Sequence, residues 1–587
     1  MEISTISRPR NVGWARAAAL LYGDWGTSKA YVIGLALAAV GYTALPHLLA
    51  VCFITGLVGL NYIWVCRCFP TGGGVYTAAG MHSRRLAAIG GLLLLADFIV
   101  TASLSCLDAF HYLGLAEAEA KKWAIVAIFA IGAMNFMGPK HSGSVAIWLA
   151  IPTVLVVLVL VAAGLPHLPQ FHAVAPTGGI KHNWIAFVGM VLALSGVEAA
   201  ASSTGVMRLD PGSTPDRPSV AQVSRKAVLV VMIEVVGGTA LLSVIAFCLP
   251  TPAAELPEHQ ADLLRHMGDV LVDPWFGKVV GVVFALLLLS AVNTAIGGMI
   301  ALLYVMARDG EIPVPFTQLN RFGVPYLPLV AATTLPVIVL DLTDSVENLA
   351  HLYAIGVVGA IVLNIGSASF GKNLPLKTCE RQIMRGTAVL LLLIWVTIAV
   401  TKTNALVFVS IVLAAGLALR EYTQLHRKKG ASAIMAVEPQ EIGEAVWEGR
   451  KTAEVLGQRL LVAVRGWTPA LRFALEAARL RNSLLLVLYI REVAVAARLS
   501  SDWHKDKTAS ELFTRIQREA GDVPVHPLYS VSDAPADTIT DIAATFGADT
   551  VVLGGSRRAA LVKLLKGNVV TRVASHLPSN IRLVVVG

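Results

Sequence analysis

The chain has 587 residues, a mean hydropathy of +0.68 and only 14% charged side chains. That composition excludes an ordinary water-soluble protein and fits one that crosses a membrane many times. The net charge of +9 does not point to nucleic acid, because the basic residues lie in loops between apolar runs.

Windows of about 20 apolar residues mark twelve expected spans, near 17–40, 45–66, 87–114, 122–138, 145–164, 184–207, 226–249, 276–307, 327–341, 348–370, 386–401 and 404–420. No small-residue cleavage site follows the first, so it reads as a span and not a leader. Alternate loops are basic. Arg8, Arg10 and Arg16 precede the first span, Arg67, Arg84 and Arg85 follow the second, and Lys372, Lys377, Arg381 and Arg385 follow the tenth. The intervening loops are poorer in Lys and Arg or richer in acids, as at Glu255, Glu258, Asp262, Asp269 and Asp273. This alternation predicts that both termini are cytoplasmic. The six cysteines are scattered and complete no metal site.

Past position 420 the character changes. Residues 421–455 are charged and mixed and read as a cytoplasmic linker. From 456 to 587 the pattern becomes soluble α/β, with strands expected at 460–464, 483–490, 524–528, 550–553 and 581–586. Helices are expected between them, at 469–481, 509–520, 535–546 and 561–575. Strands that alternate with helices imply a parallel sheet covered on both faces. The expected fold class is therefore an all-α polytopic membrane domain, residues 1–420, followed by a smaller α/β domain.

Two spans carry buried carboxylates beside glycines. In the first, Gly23 and Gly26 bracket Asp24. In the sixth, Gly196 lies between Ser195 and Glu198. An ionised carboxylate in a membrane helix faces a polar cavity and marks an ion or substrate path. Glycine lets such a helix unwind, and unwinding frees backbone carbonyls for a cation. A matching pair of interrupted spans in two five-helix halves points to an inverted-repeat (LeuT-like) transporter with two added helices and a midplane site. The third span adds Asp97, Thr101, Ser105 and Asp108 at steps of four, four and three, which share one helical face. Oxygen donors of this kind suit a hard cation. Asn293-Thr294 in the eighth span, Tyr353 in the tenth and Glu234 alone in the seventh are further polar positions. Asn293 and Thr294 also fit plain hydrogen bonding between helices.

Together these residues resemble a known family. Tyr22-Gly23-Asp24-x-Gly26-Thr27-Ser28-x-x-Tyr31 is similar to the first-helix signature of the KUP/HAK/KT potassium transporters of the APC superfamily. The layout is similar to their KimA-like branch, which shares the Pro70-x-Gly72-Gly73-Gly74-x-Tyr76 turn, the Asp97 to Ser105 helix and Leu352-Tyr353-Ala354-x-Gly356. The resemblance implies import of K⁺, with protons, along a path lined by Asp24, Tyr31, Asp97, Thr101 and Ser105 and closed by Ser195, Glu198 and Tyr353. It implies K⁺ ligands at Asp24, Tyr31, Thr101 and Ser105, and proton coupling at Glu198 or Asp97. This chain departs from the branch at Phe98, where a tyrosine is usual, and at Lys29, where the residue is uncharged. Lys29 is either an internal counter-ion for Asp24 or turns away and snorkels.

The α/β region resembles a universal stress protein domain, with Gly554, Arg557 and Gly567 in the phosphate-loop positions. Arg557 replaces a glycine of the ATP-binding pattern, Asn568 a hydroxyl, and Arg465 the usual acid of the first strand. Three readings follow: ATP, a cyclic dinucleotide, or a platform that forms a homodimer. The expected setting is the inner membrane of a bacterium, with the lipid bilayer, K⁺ and H⁺ as partners and no cofactor. An alternative to K⁺ import is a proton-coupled amino acid or amine permease, although Asp24 at the break would repel a substrate carboxylate. A non-transporting sensor is a third reading. No nucleophile–base pair suggests an enzyme.

Overall fold

A computed structural model describes residues 4–6, 10, 12–137, 142–172, 174–191, 196–213, 218–251, 256–320, 322, 324–343, 346–431, 458–481, 483–492, 503, 506–532, 535–555, 569–577 and 581–586. The membrane part begins with a helix in two pieces, α1 (Trp14–Trp25) and α2 (Ser28–Val40), and continues with α3 (Leu45–Cys68), a short α4 (Gly74–Gly80), α5 (Arg84–Tyr112), α6 (Glu117–Phe136) and α7 (Ser142–Gly164). Then come α8 (Ile180–Gly189), α9 (Glu198–Ser203), α10 (Ala221–Ala246), a short α11 (Leu263–Leu271), α12 (Pro274–Arg308), α13 (Tyr326–Leu342), α14 (Val346–Phe370), α15 (Thr378–Thr401) and α16 (Thr403–Ala431). Among the described residues eight helices are long and apolar enough to cross a membrane: α3, α5, α7, α10, α12, α14, α15 and α16. α13 is a shorter apolar helix. α16 runs beyond position 420 to Ala431, and residues 432–457, most of the expected linker, lie outside the described residues.

Local chemistry sets several helix starts. The Ser83 hydroxyl accepts the Leu86 N–H at 3.0 Å and opens α5. Asp273 accepts the Trp275 N–H at 3.0 Å, with Pro274 in the first turn of α12, where no N–H is needed. α5 is the axis of the bundle. Its apolar window is 89% buried, against 28% for α7 and 17% for α16, so α5 belongs to the core of the chain and the other two to its periphery. It packs on α12 and α14.

The α/β part has β2 (Arg459–Val464), α17 (Pro469–Arg481), β3 (Leu484–Glu492), α18 (Lys507–Glu519), β4 (Val525–Ser532), α19 (Pro535–Thr545), β5 (Thr550–Gly554), α20 (Val569–His576) and β6 (Arg582–Val586). Every strand pair is parallel, as the strand–helix alternation requires. Residues 561–568 of the expected last helix lie outside the described residues. The sheet gains a strand that the sequence did not announce. β1 (Ser4–Ile6), from the N-terminal end, pairs parallel to β4 and gives the order β1-β4-β3-β2-β5-β6. Three residues carry no strand period of their own, and only the open edge of β4 makes them one.

Candidate functional site

The site grows from the interruption between α1 and α2. Gly26 N–H bonds the Tyr22 carbonyl at 2.8 Å and Thr27 N–H bonds the Asp24 carbonyl at 3.1 Å, so the helix tightens for one turn and restarts at Ser28. The expectation of freed carbonyls is only partly met. The Thr27 hydroxyl donates to the Asp24 carbonyl at 2.6 Å and the Ser28 hydroxyl to the Trp25 carbonyl at 2.9 Å. Short hydroxyl side chains fold back on nearby carbonyls in this way.

The second interruption touches the first. α8 ends at Gly189 and α9 begins at Glu198. Between them Gly196 has φ +88°, a left-handed backbone that favours glycine. A Cβ at Gly196 would lie 2.4 Å from the Trp25 nitrogen, 2.5 Å from its Cα and 2.7 Å from the Asp24 carbonyl carbon. The two interrupted segments therefore meet backbone to backbone beside Asp24. α14 closes on α5 in the same backbone-to-backbone way, since a Cβ at Gly356 would lie 2.9 Å from the Asp97 nitrogen.

Around this crossing Asp24, Asp97, Glu198, Tyr31 and Tyr353 come together, with Thr101 beside Asp97, while Ser105 is buried and no contact among the described residues joins it to them. Asp24, Asp97, Glu198, Tyr31, Thr101, Ser105 and Tyr353 are all buried. Tyr31 and Tyr353 meet edge to face with centroids 6.4 Å apart. Thr101 donates to its own Asp97 carbonyl at 2.9 Å and reaches Asp97 Oδ1 at 3.3 Å. Glu198 Oε1 accepts the Gly196 N–H at 3.1 Å. Near the crossing, Asp24 Oδ1 and the Tyr353 hydroxyl meet no hydrogen-bond partner among the described residues, and Asp97 Oδ2 and Glu198 Oε2 meet no other donor although the two carboxyls lie within hydrogen-bond reach of each other. Buried polar atoms are nearly always paired, and two carboxyls within reach of each other need a proton or a cation between them. Asp97 lies in the field of both Glu198 and Asp24, and Tyr353 in the field of Tyr31 and all three acids. Carboxylates are acceptors only, so they cannot satisfy one another unaided. Among the described residues no three His, Cys, Asp or Glu side chains are placed to hold a metal ion together.

Ser195 lies outside the described residues, as do Arg557 and Gly567. Gly554 is exposed at the end of β5. Arg465, at the end of β2, pairs with Glu492. Asn293 does what an interhelical bond requires: its Oδ1 accepts from Asn135 Nδ2 at 2.8 Å, which ties α6 to α12, while the Thr294 hydroxyl bonds its own Ser290 carbonyl at 3.1 Å.

Lys29 follows neither course expected of it. It is fully buried, and its ammonium bonds both oxygens of Glu234 on α10, each at 2.6 Å, instead of meeting Asp24 or snorkelling. Tyr22 joins them. The available signal was Glu234, the one acid in the seventh apolar span, which must find a cation such as Lys29 or be expelled.

Residues 12–421 match the amino acid permease family, and that is well over half of the chain. The chain belongs to that family. Its C-terminal residues 458–585 match the universal stress protein family, in agreement with the parallel sheet. The potassium transporter KimA of Bacillus subtilis (strain 168) is 24% identical over 366 residues, an alignment spanning 58% of this chain and 58% of that protein. The permease family, the C-terminal domain and this relative bear out the resemblance read from the motifs. With its long apolar helices, this family member is a multi-pass membrane protein.

Proposed function

We propose that the membrane part imports K⁺, coupled to H⁺, through a site at the crossing of the two interrupted segments. The carrying observation is the group of buried, mutually interacting oxygens on Asp24, Asp97, Glu198 and Tyr353, with Asp24 beside the point where Gly196 meets Trp25. Asp24, Tyr31, Thr101 and Ser105 are the proposed ligands, Ser195 completes the lining, and Glu198 and Asp97 carry the proton. A carboxylate that accepts either a proton or a cation couples the two by simple competition. The relative's potassium transport and the oxygen-rich chemistry of the cluster both support this reading. The proposal includes twelve crossings in an inverted-repeat arrangement, cytoplasmic termini, and a C-terminal domain that dimerises or takes an anionic nucleotide.

A second reading, uptake of an amine or amino acid, is favoured by the permease family match. Asp24 argues against a substrate carboxylate and leaves an amine as the competitor. The test is K⁺-limited growth of an uptake-deficient bacterium that expresses the chain, with Asp24→Asn alongside. Rescue by the parent chain and loss in the mutant are expected. Full rescue by Asp24→Asn would sink the site.

A further inference from the structure

The Lys29 ammonium has three hydrogens, and three acceptors meet them: Glu234 Oε1 and Oε2 at 2.6 Å each and the Tyr22 hydroxyl at 3.1 Å. The Tyr22 hydroxyl in turn donates to Glu234 Oε1 at 3.0 Å, and its ring lies 4.9 Å beneath the ammonium. The donor inventory of the lysine is therefore saturated by a carboxylate, a phenol oxygen and an aromatic face. Those are also the groups that hold a free monovalent cation. A cation in this place bridges three elements at once. Tyr22 is in α1, Lys29 opens α2 beyond the interruption, and Glu234 is midway along α10, beside Gly238 and Val157 of α7.

We propose that Glu234 and Tyr22 form a second monovalent-cation site, distinct from the Asp24 cluster, and that the Lys29 ammonium is its built-in occupant. A tethered ammonium fills the site without the entropy of capturing a free ion, and it cannot leave. It holds the two pieces of the first helix to α10 by one carboxylate. It also leaves the Asp24 cluster as the exchangeable cation site of the cycle, and in this consequence alone the inference rests on the transport reading.

The test restores the occupant in untethered form. Lys29→Ala shortens the side chain and leaves the Glu234 carboxylate. In the purified full-length protein, ethylammonium chloride titrated at constant ionic strength is expected to raise the thermal unfolding midpoint of Lys29→Ala saturably, by several degrees. It is expected to leave the parent protein and Lys29→Ala/Glu234→Gln unmoved. An equal response in all three proteins, or none in Lys29→Ala, overturns the second site. Should Lys29→Ala fold only poorly, its recovery on extraction becomes the readout. More folded protein with ethylammonium supports the site, and no gain while the double mutant folds overturns it. Potassium flux into vesicles that contain the parent protein is measured separately. No flux with a retained ethylammonium response sinks the potassium reading alone, and flux without that response sinks this inference alone.

Discussion

Gly196→Ala tests the crossing on which the candidate site depends. The left-handed backbone at Gly196, φ +88°, costs an L-residue about 1–2 kcal/mol. The added methyl would overlap the Trp25 nitrogen at 2.4 Å, the Trp25 Cα at 2.5 Å and the Asp24 carbonyl carbon at 2.7 Å. All three are backbone atoms, so no rotamer relieves the clash, and overpacking of this kind adds about 1–3 kcal/mol. The total is about 2–5 kcal/mol. At the low end of the usual scaling, about 2 °C per kcal/mol for a large domain, the unfolding midpoint drops by roughly 4–10 °C. If the displacement of Asp24 raises the transport barrier by about 1.4 kcal/mol, the proposed K⁺ uptake falls about tenfold. The assay pairs thermal unfolding in detergent with uptake in vesicles, and Gly189→Ala serves as control because its Cβ meets nothing within 4 Å. A Gly196→Ala protein that melts and transports like the parent would show that the two interrupted segments do not touch.

Two further outcomes follow from charges elsewhere. Arg420 on α16 pairs with Glu311, which is 1% exposed, so Arg420→Met strands a buried carboxylate at a cost of about 3–5 kcal/mol. Arg420→Met/Glu311→Leu should recover most of that loss in thermal unfolding, and a double mutant no better than the single would refute the pairing. His266, in the short α11 between two long helices, stacks on His259 at 3.8 Å and meets the Thr251 hydroxyl at 2.8 Å. Burial, with the neighbouring His259 charge, lowers its pKa to about 4. The unfolded chain takes up a proton near pH 6.5, which the folded chain refuses until about pH 4, so stability falls across that window as pH drops. His266→Gln should flatten the decline, and an unchanged slope would show that His266 does not contribute to it.

The sequence by itself determined the long helices and the parallel sheet. Long apolar runs in a chain with few charges have nowhere to go but a bilayer, and alternating strands and helices leave a parallel sheet as the solution. It also marked Asp24, Asp97 and Glu198 as candidates, because an acid in an apolar span is costly enough to be informative wherever it occurs. Other features were decided only by tertiary structure. Lys29 bonds Glu234, some 200 positions away in the chain, where local spacing from Asp24 suggested something nearer. Thr27 and Ser28 cap the carbonyls of the interruption, a choice between hydroxyl and cation that composition does not make. Gly196 is a glycine because a second backbone lies against it, and β1 is a strand because β4 offers an edge. Burial cost is a property of each residue and is legible along the chain. Pairing and close approach belong to two distant segments at once, and only the folded chain brings them together.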